Sequence, residues 1–424
     1  MALALNNGKA FINGRLEAAN ILISNGKIEK ISETPFGTRA EKEIDCRGKI
    51  ILPGAIDCHV HFRCPGFEYK EDWVSGSLAA LHGGATTVMD MPNTRPPTLT
   101  VKDFGEKTAL AKKSAAVNFS LFMGFDGGNL QEISACQGLR AVKVYYGAST
   151  NSNAMDSPES LEKLFTLAMQ KNLVVVLHAE DEAEIKKNEE KFRAEKEPAV
   201  HTKIRNDAAE TNAIRVLVCL QEKIGNKLHF AHISSKKGLE LIKKAKKGQF
   251  GRAITCEATP NHLFLDSKAY KKMGNLVKCN PSIKSSADRK ALWEGLIAGD
   301  IDSVASDHAP HTLEEKKKGY WEAPSGIPGI ETMLPLLIDA ALRNKIAMQR
   351  VVEASSERPA EIFGWASKGF IREGFDADLV IVDPKRKFTV ENARLFTKAG
   401  YSPFNGWKLK GFVEKTLVGG AVYG

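Results

Sequence analysis

The stretch "ASDHAPHTLEEK" (305–316) sets Asp307, His308 and His311 close together. Such a set suits a helix cap, a metal site or neither, and the stretch alone does not decide. Other residues of the same chemistry lie elsewhere. His59 and His61 form an H-x-H in "DCHVHF", His178 closes the apolar run "VVVLHAE", and His232 falls in "HFAHIS". Neighbouring side chains on a strand point to opposite faces, so both imidazoles of an H-x-H there face one way and Val60 the other. Two imidazoles on one face can hold one ion, and imidazole with carboxylate is a ligand set for hydrolytic metals. Taken singly each residue is ordinary, since a histidine on an apolar strand is commonly a core residue with its hydrogen bonds filled.

Lys143 sits inside the strand-like run "LRAVKVYYG". Ala141, Lys143 and Tyr145 share one face of such a strand, and Val142 and Val144 take the other. If the first face is buried, Lys143 points inward, where burial favours the neutral amine. A neutral amine can add carbon dioxide and become an anionic carbamate able to bridge two ions. A lysine whose stem lies along apolar surface with its ammonium in water fits the run equally well.

For these residues to act together, a fold must join positions roughly 250 apart in the chain. Residues 1–53 read as short strands ("KAFING", "NILISNGKIEKIS", "KEIDCRGKIILPG") broken by Gly and Asn turns. From Ala55 strand-like runs alternate with helical periods. The strand windows are "AIDCHVHF", "TTVMDMP", "NFSLFMGF", "AVKVYYG", "LVVVLHAE", "KLHFAHIS", "ITCEATPNHLFL" and "DSVASDHAP". This alternation predicts a (β/α)8 barrel over 54–365. The alternative is a doubly wound open sheet, but no G-x-G-x-x-G follows the first strand to support its dinucleotide-binding form. Residues 366–424 return to strands in "GFDADLVIVDPKRKFTV" and "KGFVEKTLVGGAVYG", which predicts a β-sandwich domain built from both chain ends. In a barrel the C-terminal strand ends form one rim that carries the active site. His59, His61, His178, His232 and Asp307 all fall at such ends, so the barrel predicts their convergence.

Composition narrows the function classes. Hydrophobic residues make up 43% of the chain and charged residues 26%, as in ordinary globular enzymes. No apolar run has membrane-spanning length, and the start "MALALNNGKAFING" reads as mature protein without a signal-peptide core. The seven cysteines are odd in number and scattered without C-x-x-C. That argues for a reducing cytoplasm and against a disulfide framework or zinc ribbon. Cys58 and Cys64, which flank the H-x-H, read as small buried residues. The net charge is +9, but the lysines interleave with helical apolar positions, as in "LIKKAKKGQ", which fits a solvated surface better than nucleic-acid binding. The highly charged segment 179–207 reads as a solvated helix and loop, without chemistry of its own.

The motifs "GAIDCHVHFRCPG", "MDMPNTRPP", "GLRAVKVYYG", "LHAE", "AHISS", "CEATPNHLFL", "NPSIK" and "ASDHAPHTLEEK" together resemble the dihydroorotases of the amidohydrolase superfamily. The resemblance covers essentially the whole chain. It implies a barrel with a flanking β-sandwich and a metal-dependent cyclic amidohydrolase with two Zn2+ per subunit. The family's H-x-H, lysine, two histidines and aspartate map onto His59, His61, Lys143, His178, His232 and Asp307, with carboxylated Lys143 bridging the two ions. Some bacterial dihydroorotases carry an aspartate in the binuclear site instead of the lysine; this chain matches the lysine form. The implied reaction is reversible hydrolysis of dihydroorotate to N-carbamoyl-aspartate in pyrimidine biosynthesis, with Asp307 carrying the proton.

Hydantoinases, allantoinases and dihydropyrimidinases share these ligands, but the extensions H-x-H-F-R (to Arg63) and D-H-A-P-H (to His311) point to dihydroorotases. By resemblance Arg63, Asn93 and His311 hold the substrate carboxylate, and a guanidinium fork suits that task. Asn280, in "CNPSIK", is a further implied contact, although Ser282 and Lys284 replace the family's usual proline and arginine there. A reading of another class is an inactive homologue acting as a structural partner subunit, yet no ligand is missing. A homodimer and association with aspartate transcarbamoylase are left open. The loop "HTLEEKKKGYWEAPSGIPGIE" (311–331) reads either as a mobile lid or as a plain surface loop.

Overall fold

The computed structural model describes residues 2–36, 40–150, 152 and 154–424. Eight parallel strands form the barrel: Ala55–Val60, Ala85–Asp90, Asn118–Leu121 with its continuation Met123–Gly124, Ala141–Tyr145, Val174–His178, Lys227–Phe230, Ile254–Ala258 and Ser303–Val304. Each pairs with the next. The third is interrupted at Phe122, so one half pairs with the second strand and the other half with the fourth. The ring closes where His308 pairs with Val60, and the His61 N–H donates to the His308 carbonyl at 2.8 Å. Runs such as "VVVLH" are buried on both faces, because helices cover the outside and side chains fill the inside.

The helices between strands start and stop where local chemistry dictates. Asp72 caps Trp73–Gly83 through a capping box, and Gly84 ends it at φ 83°. Asn206 caps Asp207–Ile224, which Gly225 ends in the same left-handed conformation. One strand window overran. In "ITCEATPNHLFL" the strand stops at Ala258, and Pro260–Phe264 is a helix capped by Thr259 with Pro260 in its first turn. Threonine before proline is a helix start, and here it outweighs the apolar run that follows.

Both chain ends meet in one eight-stranded sheet. Its main path runs Ala421–Tyr423, Lys408–Val418, Leu379–Thr389, Ile50–Pro53, Leu3–Ile12, Arg15–Ser24, Lys27–Ser32, and Lys42–Asp45 pairs with Leu3–Ile12 off that path. An irregularity between Leu5 and Gly8 lets the first strand serve two parallel neighbours, Lys42–Asp45 and then Ile50–Pro53. Leu5, Ile21 and Ile28 from one half pack with Ile51, Leu379 and Leu417 from the other in one apolar cluster, so the sheet folds over its own core. Between the last long strands the chain leaves this sheet, and Val390 and Phe404 pack with Leu265 and Tyr270 of the barrel. Among the described residues no helix is long and apolar enough to cross a membrane.

Candidate active site

At the C-terminal rim the side chains of His59, His61, Lys143, His178, His232 and Asp307 line one cleft, of about 360 Å³ with its open mouth included. The Nε2 atoms of His59 and His61 lie 3.3 and 3.2 Å from the same Asp307 oxygen. His178 Nδ1 and His232 Nε2 approach to 3.1 Å, and the His59 and His232 rings are 5.2 Å apart at their centroids. The residues that strand phase and barrel topology bring to one rim thus share one cleft.

Each imidazole is aimed from behind. His59 Nδ1 lies 2.6 Å from Glu257 Oε1, His61 Nδ1 lies 2.7 Å from Asn93 Oδ1, and His178 Nε2 lies 2.9 Å from Glu180 Oε2. In each case the ring N–H donates away from the cleft and the other nitrogen's lone pair faces inward, the orientation that metal-binding histidines need. Glu257 also accepts from His229 Nε2 at 3.1 Å and from Cys58 Sγ at 3.4 Å. Glu180 pairs in turn with Arg205. Burial pushes His61 down to about 3 and also lowers His178 and His232, so these rings are neutral near neutral pH.

The donor set fits divalent metal ions. Lys143 is fully buried and its Nζ has no hydrogen-bond partner; the buried His232 Nδ1 has none either. An unpaired buried ammonium is costly, and burial lowers Lys143 to about 8. The inward phase of the "AVKVY" strand is therefore the one adopted, and the solvated lysine is not. Neutral imidazoles, one carboxylate and an amine poised to lose its proton form a set that bound cations would complete.

Beside this cluster Arg63 is buried. Its Nε donates to the Pro310 carbonyl at 3.2 Å, one terminal nitrogen lies 3.2 Å from His311 Nε2, and the other has no partner. His311 does not line the cleft; it stands behind Arg63, with Lys70 Nζ 3.1 Å from its Nδ1 and the Ser325 carbonyl 3.1 Å from its Nε2. Asn93 lines the cleft but spends its carbonyl on His61 and its amide on the Thr150 carbonyl, so it orients a ligand. Asn280 also lines the cleft, fixed by His201 at 3.1 Å. Ser282 and Lys284, which depart from the family pattern, both donate to the Arg205 carbonyl at 2.7 Å and tie that loop to the Glu180 pair. His308 turns away to Glu71, 3.1 Å from Nε2. The loop after it is pinned by Lys316, whose buried ammonium donates to the carbonyls of Lys278, Pro324 and Gly326.

The backbone sets these residues apart. Among the described residues eight non-glycine residues have positive φ, and five of them are asparagines, which tolerate it. The other three are Arg63 (62°), His232 (37°) and Asp307 (45°). Such conformations cost about 1–3 kcal/mol each and persist where the surroundings enforce them. Here they turn side chains at strand ends into the cleft.

Glu257, Glu180, Arg205 and Lys70 are missing from the sequence reading. A glutamate inside the apolar run "ITCEA" is the signal that marks Glu257. Glu180 and Arg205, both buried, lie near the two ends of the charged segment 179–207, outside its solvated helix Glu182–Lys191.

An amidohydrolase family model matches residues 50–422. A dihydroorotase of Methanosarcina acetivorans is 36% identical over 99% of this chain and 91% of its own length. One from Halobacterium salinarum is 40% identical over 87% of this chain and 85% of its own. Among solved structures, an L-hydantoinase (dihydropyrimidinase) from Arthrobacter aurescens superposes with a TM-score of 0.95 at 31% identity, covering 99% of this chain and 95% of that one. The fold, the rim cluster and these likenesses agree: the chain belongs to the amidohydrolase family, among its dihydroorotases.

Proposed function

We propose that the protein catalyses the reversible hydrolysis of dihydroorotate to N-carbamoyl-aspartate, the ring-opening and ring-closing step of pyrimidine synthesis. The observation that carries the substrate choice is Arg63: a buried guanidinium at the edge of the ligand cluster, with a terminal nitrogen that no protein atom satisfies. A ring carboxylate supplies a charged acceptor that matches the guanidinium fork, and the neutral carbonyls of a hydantoin or dihydropyrimidine do not. His59, His61, His178, His232 and Asp307, together with Lys143 as a carbamate, would hold two Zn2+. When bound, such ions supply Lewis acidity that lowers the pKa of water toward neutrality and polarises an amide carbonyl.

The chain's own residues do the rest. Arg63 fixes the carboxylate, with Asn280 on the wall of the same cleft. Water adds to the ring carbonyl carbon and the ring C–N bond breaks. Asp307 takes the water's proton and returns it to the leaving nitrogen; ring closure runs the same transfers backward. Asn93 and Glu257 keep His61 and His59 in register, and His311 backs Arg63.

The structural likeness to hydantoinases favours a second reading, a neutral cyclic amide as substrate. Turnover of dihydroorotate and carbamoyl-aspartate beside hydantoin and allantoin, with bound metal measured on the same sample, decides between them. Turnover of hydantoin but not dihydroorotate would overturn the proposal, and a metal-free, inert protein would favour a structural subunit. All seven cysteines are free, which supports a reducing cytoplasm. Light scattering with and without aspartate transcarbamoylase reads out a homodimer or a complex.

A further inference from the structure

We propose that Lys70 is a positioning residue: by fixing which nitrogen of His311 carries the proton, it keeps the guanidinium of Arg63 free for the substrate's carboxylate. The proposal rests on the dihydroorotate reading and deepens it. Lys70 lies in the loop after the first barrel strand and is buried. Its Nζ is 2.8 Å from Glu315 Oε1 and 3.1 Å from His311 Nδ1; burial lowers its pKa, and the Glu315 carboxylate beside it opposes that loss of charge. An ammonium only donates. A guanidinium also only donates, so Lys70 and Arg63 cannot both find a lone pair on one neutral ring. Lys70 is the nearer donor and the Ser325 carbonyl, 3.1 Å from Nε2, needs a proton there, so Nδ1 accepts and Nε2 carries the proton. Both nitrogens of His311 are then satisfied.

The consequence falls on Arg63. Its terminal nitrogen 3.2 Å from His311 Nε2 meets an N–H, not a lone pair, and its other terminal nitrogen has no partner. Neither end of the fork is spent on the protein. In the opposite tautomer Nε2 would accept from Arg63 and Nδ1–H would turn to Glu315 Oε2, 3.5 Å away. That arrangement uses up one arm of the fork and leaves the Ser325 carbonyl facing a lone pair. Glu315, an acceptor only, cannot take Lys70's place as the donor to Nδ1; without Lys70 it draws the proton to Nδ1.

The test combines Lys70→Met, which keeps the apolar stem, with Lys70→Arg, which keeps a donor, and 15N NMR of histidine-labelled protein. Wild type should show His311 as the Nε2–H tautomer, and Lys70→Met should move it to Nδ1–H. KM for dihydroorotate should rise about tenfold or more in Lys70→Met, the size of one lost charge-assisted hydrogen bond, while kcat changes less than about twofold. Lys70→Arg should recover most of the loss. An Nδ1–H tautomer in wild type overturns the proposal, as does a Lys70→Met variant with unchanged KM, or with kcat reduced and KM untouched. Wild-type protein with the Nε2–H signature but no turnover of dihydroorotate would sink the activity reading and leave the tautomer assignment standing.

Discussion

Glu257→Gln isolates the role of the carboxylate behind His59. Glu257 is buried, and its two oxygens serve four donors. Oε1 takes the His59 Nδ1–H at 2.6 Å and the His232 N–H at 3.3 Å; Oε2 takes His229 at 3.1 Å and Cys58 at 3.4 Å. Glutamine has the same shape but one oxygen, so its amide must face either the His59 pair or the His229 pair, donor against donor. The charge that strengthens the remaining bond is gone as well. Losing one charge-assisted hydrogen bond costs about 1.5–3 kcal/mol, which is roughly a ten- to hundredfold weaker hold on a metal that His59 would bind. Chelator competition on the purified variant reads this directly, and a cobalt-substituted sample shows whether the coordination changes. Circular dichroism controls for folding. Metal affinity within about threefold of wild type would refute the reasoning, because His59 would then hold its orientation without the carboxylate.

Three further outcomes follow from the same geometry. Lys143→Ala should lose metal and most turnover, with short carboxylic acids restoring part of it; in wild type stripped of carbon dioxide, reactivation should quicken as pH rises toward 8, because only the neutral amine adds it. A Lys143→Ala protein with two metals and normal turnover defeats the carbamate. Asp307→Asn should cut turnover by about a hundredfold or more with metal content largely kept; unchanged turnover moves the proton transfer elsewhere. Arg63→Met should lower kcat/KM for dihydroorotate by about thirtyfold or more and spare any neutral cyclic amide that is hydrolysed, whereas equal losses make Arg63 a support of the fold.

The barrel and its rim were legible because both are periodic. Strand phase places His59 with His61 and Lys143 with Ala141 and Tyr145, while leaving open which face of that strand is buried, and strand order places His178, His232 and Asp307 at the same end. The contacts that aim these residues carry no period. His59 and Glu257 are 198 residues apart, and Arg63 and His311 are 248 apart. Glu180 and Arg205 lay in a segment whose charge density reads as solvent-facing, because composition averages the buried residues with the many charged, exposed ones around them. "NHLFL" reads as strand by its apolar content, although the Thr-Pro step before it starts a helix. His311 matches the motif of a substrate contact, yet only the fold shows that it reaches Arg63 first.

The shared terminal sheet has a consequence for how the chain is made. Ile50–Pro53 pairs on one side with Leu3–Ile12 and on the other with Leu379–Thr389. At synthesis rates of about 5–20 residues per second, the stretch between Pro53 and Leu379 takes from about 20 s to about a minute to emerge. Throughout that interval the amino-terminal strands are out of the ribosome with one edge open and Ile51 without its partner Ile381. The barrel is complete in sequence before its flanking sheet can close. The last strands of the chain therefore act as a latch: a nascent chain that stops short of them leaves an apolar, unpaired edge at its oldest end, ready to join a neighbour's.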